Sequence, residues 1–274
     1  QSRTRRPAAR RGAVRTTTGF GATATVTDRL DHALVIRGLA RSRSQASEAV
    51  RAGRVSVNGS TVGKPSSPVA DSDAIELTGA DHYVSRAAHK LLGALDETGL
   101  AVRGRVLDAG ASTGGFTQVL LERGAEVVHA VDVGHDQLVA HVRRDPRVRV
   151  HEGLNLRDLT LDHLDGELVD LVVGDVSFIS LRLLLPQLLT VLRPSGRALL
   201  LVKPQFEVGR GGLDSRGVVR DDAVRVRCVD DVAEQALTLG WGQEWRGVSR
   251  TPGTSGNVEY FLLLRHQETV VRPG

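Results

Sequence analysis

Between residues 84 and 265, short apolar runs alternate with stretches whose apolar positions recur every three or four residues. The runs fall at residues 105–108, 127–133, 148–151, 168–175, 198–202 and 259–265, with a weaker one at 245–248. Near-continuous apolar strands separated by helical stretches mark a mainly parallel sheet covered on both faces, because such strands have no side turned to water. The pattern predicts a seven-stranded, doubly wound, Rossmann-like α/β unit with helices on both faces. Ligands of such a unit lie beyond the carboxyl ends of the strands, near the point where strand order reverses.

Residues 26–77 follow a different rhythm. Leu30, Leu34, Val35 and Leu39 share one helical face, and Ser42 and Ser44 are candidate caps for a second helix carrying Ala46, Ala49 and Val50. Gly53 ends that helix. Val55 and Val57 then alternate into Asn58-Gly59, a strong hairpin-turn signal, and a further strand is expected at residues 74–77. About 50 residues enclose only a small core, which suits a small α+β binding module better than a self-sufficient enzyme. The expected division is a basic arm at residues 1–25, this module at 26–80, a linker at 81–84, the α/β unit at 85–268 and a tail at 269–274.

Charge and composition sharpen the picture. The arm carries Arg3, Arg5, Arg6, Arg10, Arg11 and Arg15 with no acid before Asp28, and has too few apolar side chains to offset the entropy of ordering it, so disorder is expected there. A formal net charge of +4 favours a polyanionic partner. Cys228 is the single cysteine; it excludes intramolecular disulfides, fits a reducing, cytoplasmic setting and is expected to be a packed core thiol. The longest apolar stretch, around residues 181–192, is interrupted by Arg182, Pro186 and Gln187 and falls short of the roughly 20 residues of a membrane span. The nine histidines show no metal-ligand spacing, so no structural metal is expected.

Of 36 basic residues only three are lysine: Lys64, Lys90 and Lys203. Arg serves as well or better wherever a permanent positive charge is wanted, whereas Lys can be brought toward neutrality by burial or a neighbouring cation and so can accept a proton. The retained lysines are therefore candidates for chemistry. A second candidate is "VLDAGASTGGFTQVLLERGA", which passes from strand through a small-residue loop into a helix. Gly110, Ala111 and Gly114 allow close approach of backbone to a ligand, Asp108 precedes the turn, and Asp132 closes the next strand at the spacing of a ribose-binding acid. The glycines fit neither the dinucleotide fingerprint nor a phosphate-cradling loop. Acids at successive strand ends suit a ribose and a cationic ligand without phosphates, a description that S-adenosylmethionine meets. Ser112 belongs to the same loop, Phe116 opens the helix after it, and Asn155, past the third strand, is a candidate adenine contact or a turn residue.

Residues 29–69, "RLDHALVIRGLARSRSQASEAVRAGRVSVNGSTVGKPSSPV", resemble the S-four-type RNA-binding domain. That resemblance implies that Arg29, Arg37, Arg41, Arg43 and Lys64 lie toward RNA, in keeping with clustered cations on a small fold. "LDAGASTGGFT", "DVSFIS", "LVKPQFEVG", "GVVRD" and "SGNVEYFLLLR" resemble the FtsJ-like methyltransferase domain, and with the preceding module and "VSRAAHKL" they resemble the TlyA family over about residues 26–266. The resemblance implies a class I methyltransferase fold, S-adenosylmethionine as donor, 2′-O-methylation of cytidine in ribosomal RNA of one or both subunits, and a Lys-Asp-Lys-Glu tetrad at Lys90, Asp175, Lys203 and Glu259. Within it Lys203 is expected to take the hydroxyl proton, Lys90 and Glu259 to orient it and the ribose, and Asp175 to hold the lysines and face the methyl donor. Arg157 is a further candidate RNA contact. The linker Asp81-His82-Tyr83-Val84 departs from the family pattern, which often has an Arg and a Trp there.

Three other readings compete. Base N-methyltransferases share the sheet and cofactor but grip an exocyclic amine with prolines and an aromatic at the fourth strand end; here that position reads Asp175-Val176-Ser177-Phe178. A silent RNA-binding protein would have no use for the cofactor loop and both lysines. The family is also called haemolysin, yet the sequence has no apolar element suited to a pore.

Overall fold

The computed structural model describes residues 27–40, 42–78, 82–253 and 255–267. The expected arm, Arg41 and the expected tail lie outside the described residues. The chain divides into two compact units, Gln1–Ala80 and Asp81–Gly274.

The first unit runs β1 (Thr27–Arg29), α1 (Leu30–Ile36), α2 (Arg43–Arg51), β2 (Val55–Val57), β3 (Ser60–Thr61), β4 (Pro68–Ala70) and β5 (Ile75–Leu77). Ser42 caps α2 by accepting a 3.2 Å bond from the Gln45 amide, whereas Ser44 lies inside the helix and is not a cap. Asn58 and Gly59, both left-handed, close the β2–β3 hairpin. Leu30, Leu34, Ala46, Val50 and Val55 form the buried core. The β1–β4 pair carries no hydrophobic alternation that announces it, and Pro68, which lacks an N–H, opens β4 as an edge strand.

Three arginines expected to face RNA have internal partners here. Arg37, at the end of α1, donates to the carbonyls of Asp73 at 2.6 Å and Ala70 at 2.8 Å, so its guanidinium clamps the β4–β5 turn; this corrects its assignment as an RNA contact. Buried Asp31 draws Arg29 to 2.9 Å and Arg43 to 3.5 Å, and the Arg29 hydrogen bond holds its carboxyl down to about 2. A buried acid requires such partners, although about half of the Arg29 and Arg43 side chains stays open. Lys64 is exposed. Arg37→Ala is expected to lower the unfolding free energy of the first unit by about 1–3 kcal/mol, since two charge-assisted bonds and the order of the turn go with it; denaturant unfolding checks this.

The second unit runs α3 (Ala87–Thr98), β6 (Arg105–Ala109), α4 (Gly115–Glu122), β7 (Val127–Asp132), α5 (Ala140–Arg143), β8 (Val148–Glu152), β9 (Val169–Gly174), α6 (Leu185–Thr190), β10 (Leu192–Val202), α7 (Pro204–Glu207), α8 (Asp222–Thr238), β11 (Trp241–Val248) and β12 (Tyr260–His266). The seven strands lie in the order β11-β12-β10-β9-β6-β7-β8. The five from β6 to β10 pair in parallel, while β12 runs antiparallel to both β10 and β11. One apolar layer joins α6 and α8 to the sheet through Leu107, Val172, Leu188 and Val229; the other joins α3 and α4 through Leu91, Val106, Leu120 and Phe261. The mainly parallel, doubly wound sheet therefore matches the apolar rhythm of the chain. Cys228 is buried on α8. β10 begins at Leu192, six residues before the apolar run that signals it, because the strand continues through Pro194 and Gly196 across a register shift in its pairing with β9. Among the described residues no helix is long and apolar enough to cross a membrane.

The topology fixes where chemistry can happen. After β6 the chain winds toward β7 and β8, and after β9 it winds the other way to β10, yet β6 and β9 are hydrogen-bonded neighbours. Their carboxyl ends, Ala109 and Gly174, therefore flank the switch point.

Candidate active site

Two confluent cavities open at that switch point. The larger, about 540 Å³, is lined among others by Gly110, Ser112, Asp132, Asn155, Asp175 and Phe178. The smaller, about 280 Å³, is lined among others by Lys90, Ala111, Phe116, Asp175, Ser177 and Lys203. Gly110, Ser112, Asp175 and Ser177 belong to both walls.

The loop between β6 and α4 is shaped by backbone requirements. Gly110 has φ +87°, and a Cβ on it would stand 3.0 Å from the Asp175 carbonyl oxygen, so the two strand ends approach as closely as they do only through a glycine. Ser112 is also left-handed, and its amide donates to Asp132 Oδ2 at 2.8 Å; Gly134 N donates to the other Asp132 oxygen at 2.7 Å. Asp132 thus both stiffens the loop and edges the larger cavity. Asn155 lines the same cavity while its Oδ1 accepts from the Arg157 amide at 3.0 Å; Arg157 itself is exposed.

Asp108, Gly114 and Phe116 sit differently from the cofactor contacts expected of them. Asp108 is fully buried and lines neither cavity; Thr117 Oγ1 donates to it at 2.6 Å, and burial pushes its carboxyl up to about 7. Its strand position turns the side chain under α4 rather than into the cleft. Gly114 caps α4 and borders neither cavity. Phe116 touches the smaller cavity but is buried, with its ring 6.3 Å from that of Phe261.

A folded-state carboxyl raised above its unfolded pKa contributes stability below the unfolded value that is lost as pH rises through the folded one. For Asp108 the loss spans about pH 4 to 7. Asp108→Asn keeps the acceptor for Thr117 without the titration, so relative to the parent chain it is expected to gain on the order of 3 kcal/mol between pH 5 and pH 8. Urea unfolding of both at the two pH values measures it.

The four residues of the expected tetrad meet in space. Lys90 comes from the buried face of α3, Asp175 follows β9, Lys203 follows β10, and Glu259 immediately precedes β12. Lys90 Nζ donates to Glu259 Oε2 at 2.7 Å and stands 3.6 Å from Asp175 Oδ2. Lys203 Nζ forms a 2.5 Å ion pair with Asp175 Oδ1, off the hydrogen-bond axis, and donates to Ser177 Oγ at 2.7 Å. Glu259 is only 2% exposed and lies behind the cavity wall rather than on it. Two ammonium and two carboxylate groups therefore alternate at the seam between the cavities, nearly desolvated. An arrangement of this kind can fix a lysine against a hydroxyl and hold or release one proton there.

Ser177, Gln205 and Phe178 go unnoticed as site residues when residues are weighed one by one. Gln205 Nε2 donates to the second Glu259 oxygen at 3.1 Å. Phe178 is 91% exposed at φ +66°, its ring 5.3 Å from Phe206. Ser177, Phe178 and Gln205 lie in "DVSFIS" and "LVKPQFEVG", so motif membership was the available signal. Of the expected linker, the described residues His82–Tyr83–Val84 dock on α4: His82 Nε2 meets Glu122 at 2.6 Å, the Tyr83 hydroxyl donates to Glu122 at 3.0 Å, and Val84 N donates to Gln118 at 2.9 Å. Among the described residues no group of three or more His, Cys, Asp or Glu could hold a metal ion.

The family model of FtsJ-like methyltransferases matches residues 83–266, and that of the S4 domain matches residues 28–75. The chain is 52% identical over 242 residues to the 16S/23S rRNA (cytidine-2'-O)-methyltransferase TlyA of Mycobacterium tuberculosis, covering 87% of this chain and 90% of that one. The chain belongs to the TlyA family. Another relative, Hemolysin A of Brachyspira hyodysenteriae, is 39% identical over 234 residues, covering 85% of this chain and 98% of that protein. Among solved structures, a haemolysin-named protein of Streptococcus thermophilus superposes with a TM-score of 0.71 at 38% identity, covering 89% of this chain and 90% of its own. This chain thus joins an S4 domain to an FtsJ-like methyltransferase domain.

Proposed function

We propose that this chain transfers a methyl group from S-adenosylmethionine to the ribose 2′-hydroxyl of a cytidine in ribosomal RNA, on one or both subunits, in the cytoplasm. The observation that carries this reading is the tetrad at the seam of the two cavities: Lys90, Asp175, Lys203 and Glu259 converge from four distant parts of the chain. The larger cavity, within the roughly 300–1,000 Å³ of small-ligand sites, has Gly110 backbone in its wall and acids at two strand ends, which fits a ribose-bearing cation. Gly110, Ser112, Asp132 and Asn155 would hold S-adenosylmethionine there, which supplies an electrophilic methyl group when bound.

The remaining work falls to the protein. A ribose hydroxyl is a weak nucleophile, so it must be aligned and relieved of a proton. Asp175 borders both cavities and holds Lys203 and Lys90 on its two oxygens. Lys203, in its neutral form, accepts the hydroxyl proton at Nζ as the O–H bond breaks, and the ammonium so formed returns to the Asp175 and Ser177 contacts. Lys90, anchored by buried Glu259, keeps Asp175 in place and borders the nucleotide side of the seam. Cytidine and ribosomal RNA as target are supported by the M. tuberculosis relative, alike over nine-tenths of its length. An S4 domain with exposed Lys64 and half-open Arg29 and Arg43 suits docking on RNA phosphates.

Mapping 2′-O-methyl groups in 16S and 23S rRNA from cells with and without the gene, followed by transfer of labelled methyl from S-adenosylmethionine to purified 30S and 50S subunits, tests the proposal. A cytidine methylated only when the protein is present is expected. No change in ribose methylation on either rRNA overturns it.

A further inference from the structure

Six polar side chains form one run of contacts: Gln205, Glu259, Lys90, Asp175, Lys203 and Ser177. Charge alternates along the four inner members, and a neutral group closes each end. At the Glu259 end, one carboxylate oxygen accepts from Lys90 and the other from Gln205 Nε2 at 3.1 Å. Gly253 packs against that second oxygen so tightly that a Cβ there would stand 2.6 Å away. The amide cannot be turned round, because its carbonyl oxygen would then face a carboxylate. In the orientation it must take, Gln205 Oε1 is buried with no hydrogen-bond partner among the described residues. A buried acceptor left unmatched is disfavoured, so the contact that holds this side chain is the one its nitrogen makes.

We propose that Gln205 is a positioning residue for methyl transfer: its uncharged N–H fixes the plane of the Glu259 carboxylate, so that Glu259 holds Lys90 at a set distance from Asp175. This rests on the tetrad reading given above. A neutral donor is the group the place requires. A cation would compete with Lys90 for Glu259, and an acid would repel Glu259. The ionisable groups of the run are Lys90 on α3, Asp175 after β9 and Lys203 after β10, and Glu207 on α7 is already committed to Ser180 Oγ at 2.5 Å, the Leu181 amide at 2.6 Å and Arg182 Nε at 3.5 Å. Gln205 borders neither cavity, so its effect passes through Glu259 and Lys90.

Gln205→Glu keeps the shape and replaces the donor with a second carboxylate, which can sit beside Glu259 only by sharing a proton. With ribosomal subunits lacking the modification as substrate, the ratio of variant to wild-type kcat is expected to be about one-tenth or less at pH 8 and to climb toward one near pH 6, as that proton restores the bond. Gln205→Met, which fills the space without donating, is expected to lose a similar factor at every pH. Calorimetric titration with S-adenosylmethionine should give unchanged affinity in both variants. A Gln205→Glu ratio that stays flat with pH, or wild-type kcat in both variants at pH 8, overturns the inference. A wild-type chain that methylates no ribose sinks the function instead, so the two failures are told apart.

Discussion

Lys203→Arg lowers the rate of methyl transfer by about 10²- to 10⁴-fold, the range spanned by loss of a positioned general base, while leaving the affinity for S-adenosylmethionine within a few-fold of wild type. The substitution preserves the positive charge that Asp175 Oδ1 meets at 2.5 Å, so the ion pair and the cavity wall persist. What it removes is the capacity to give up and regain a proton, which a guanidinium lacks at any physiological pH. Single-turnover transfer of labelled methyl to ribosomal subunits, alongside calorimetric titration of the cofactor, separates the two effects. Near-normal turnover with intact cofactor binding would remove Lys203 as the base and leave alignment alone as the protein's contribution.

Lys90→Met has the largest expected effect on stability, about 3–5 kcal/mol, because it strands a buried carboxylate without its counter-charge. Glu259 is 2% exposed, and Lys90 supplies its ionic partner at 2.7 Å; the Gln205 amide that remains carries no charge. Replacing both partners has a different outcome. In Lys90→Met combined with Glu259→Gln no uncompensated charge is buried, and the new amide still presents an acceptor to Gln205, so at least half of the lost stability returns while methyl transfer does not. Urea unfolding of the single and double variants measures the first, and the labelled-methyl assay the second. A loss below about 1 kcal/mol in the single variant would mean that Glu259 is solvated or protonated rather than ion-paired.

The apolar rhythm was enough to read most of the second unit. Runs at 105–108, 127–133 and 148–151 became β6, β7 and β8 within a residue or two, since strands covered on both faces have no polar alternation to blur them. Edges were harder. β10 begins at Leu192 and β11 at Trp241, each earlier than its run, and each pairs through a register shift that interrupts the apolar signal. The β1–β4 pair was invisible because neither Thr27–Arg29 nor Pro68–Ala70 shows an alternation of apolar and polar residues.

The site divides along the same line. The lysine scarcity pointed to Lys90 and Lys203, since residue type is a property a sequence displays, and the resemblance of the motifs to the family added Asp175 and Glu259. Which way a side chain points at a strand end is not such a property. Asp108, one residue before the end of β6, turns under α4 and stays buried against Thr117, although its spacing suited a cofactor contact. Arg37 is as basic as any candidate RNA contact, and only the path of the β4–β5 turn reveals that backbone carbonyls occupy it.

By itself the sequence determined the two-part organisation, the sheet and the two suspect lysines, because hydrophobic periodicity and residue chemistry are local quantities; Asp175 and Glu259 joined them through the resemblance to the family's motifs. The tertiary structure alone decided that Glu259 anchors Lys90 from behind the cavity wall, that Ser177 and Gln205 close the two ends of the charged run, and that His82, Tyr83 and Val84 dock on α4. Hydrogen bonds between residues 54 and 169 positions apart depend on where the topology brings strand ends and helix faces together, and no local pattern encodes that distance.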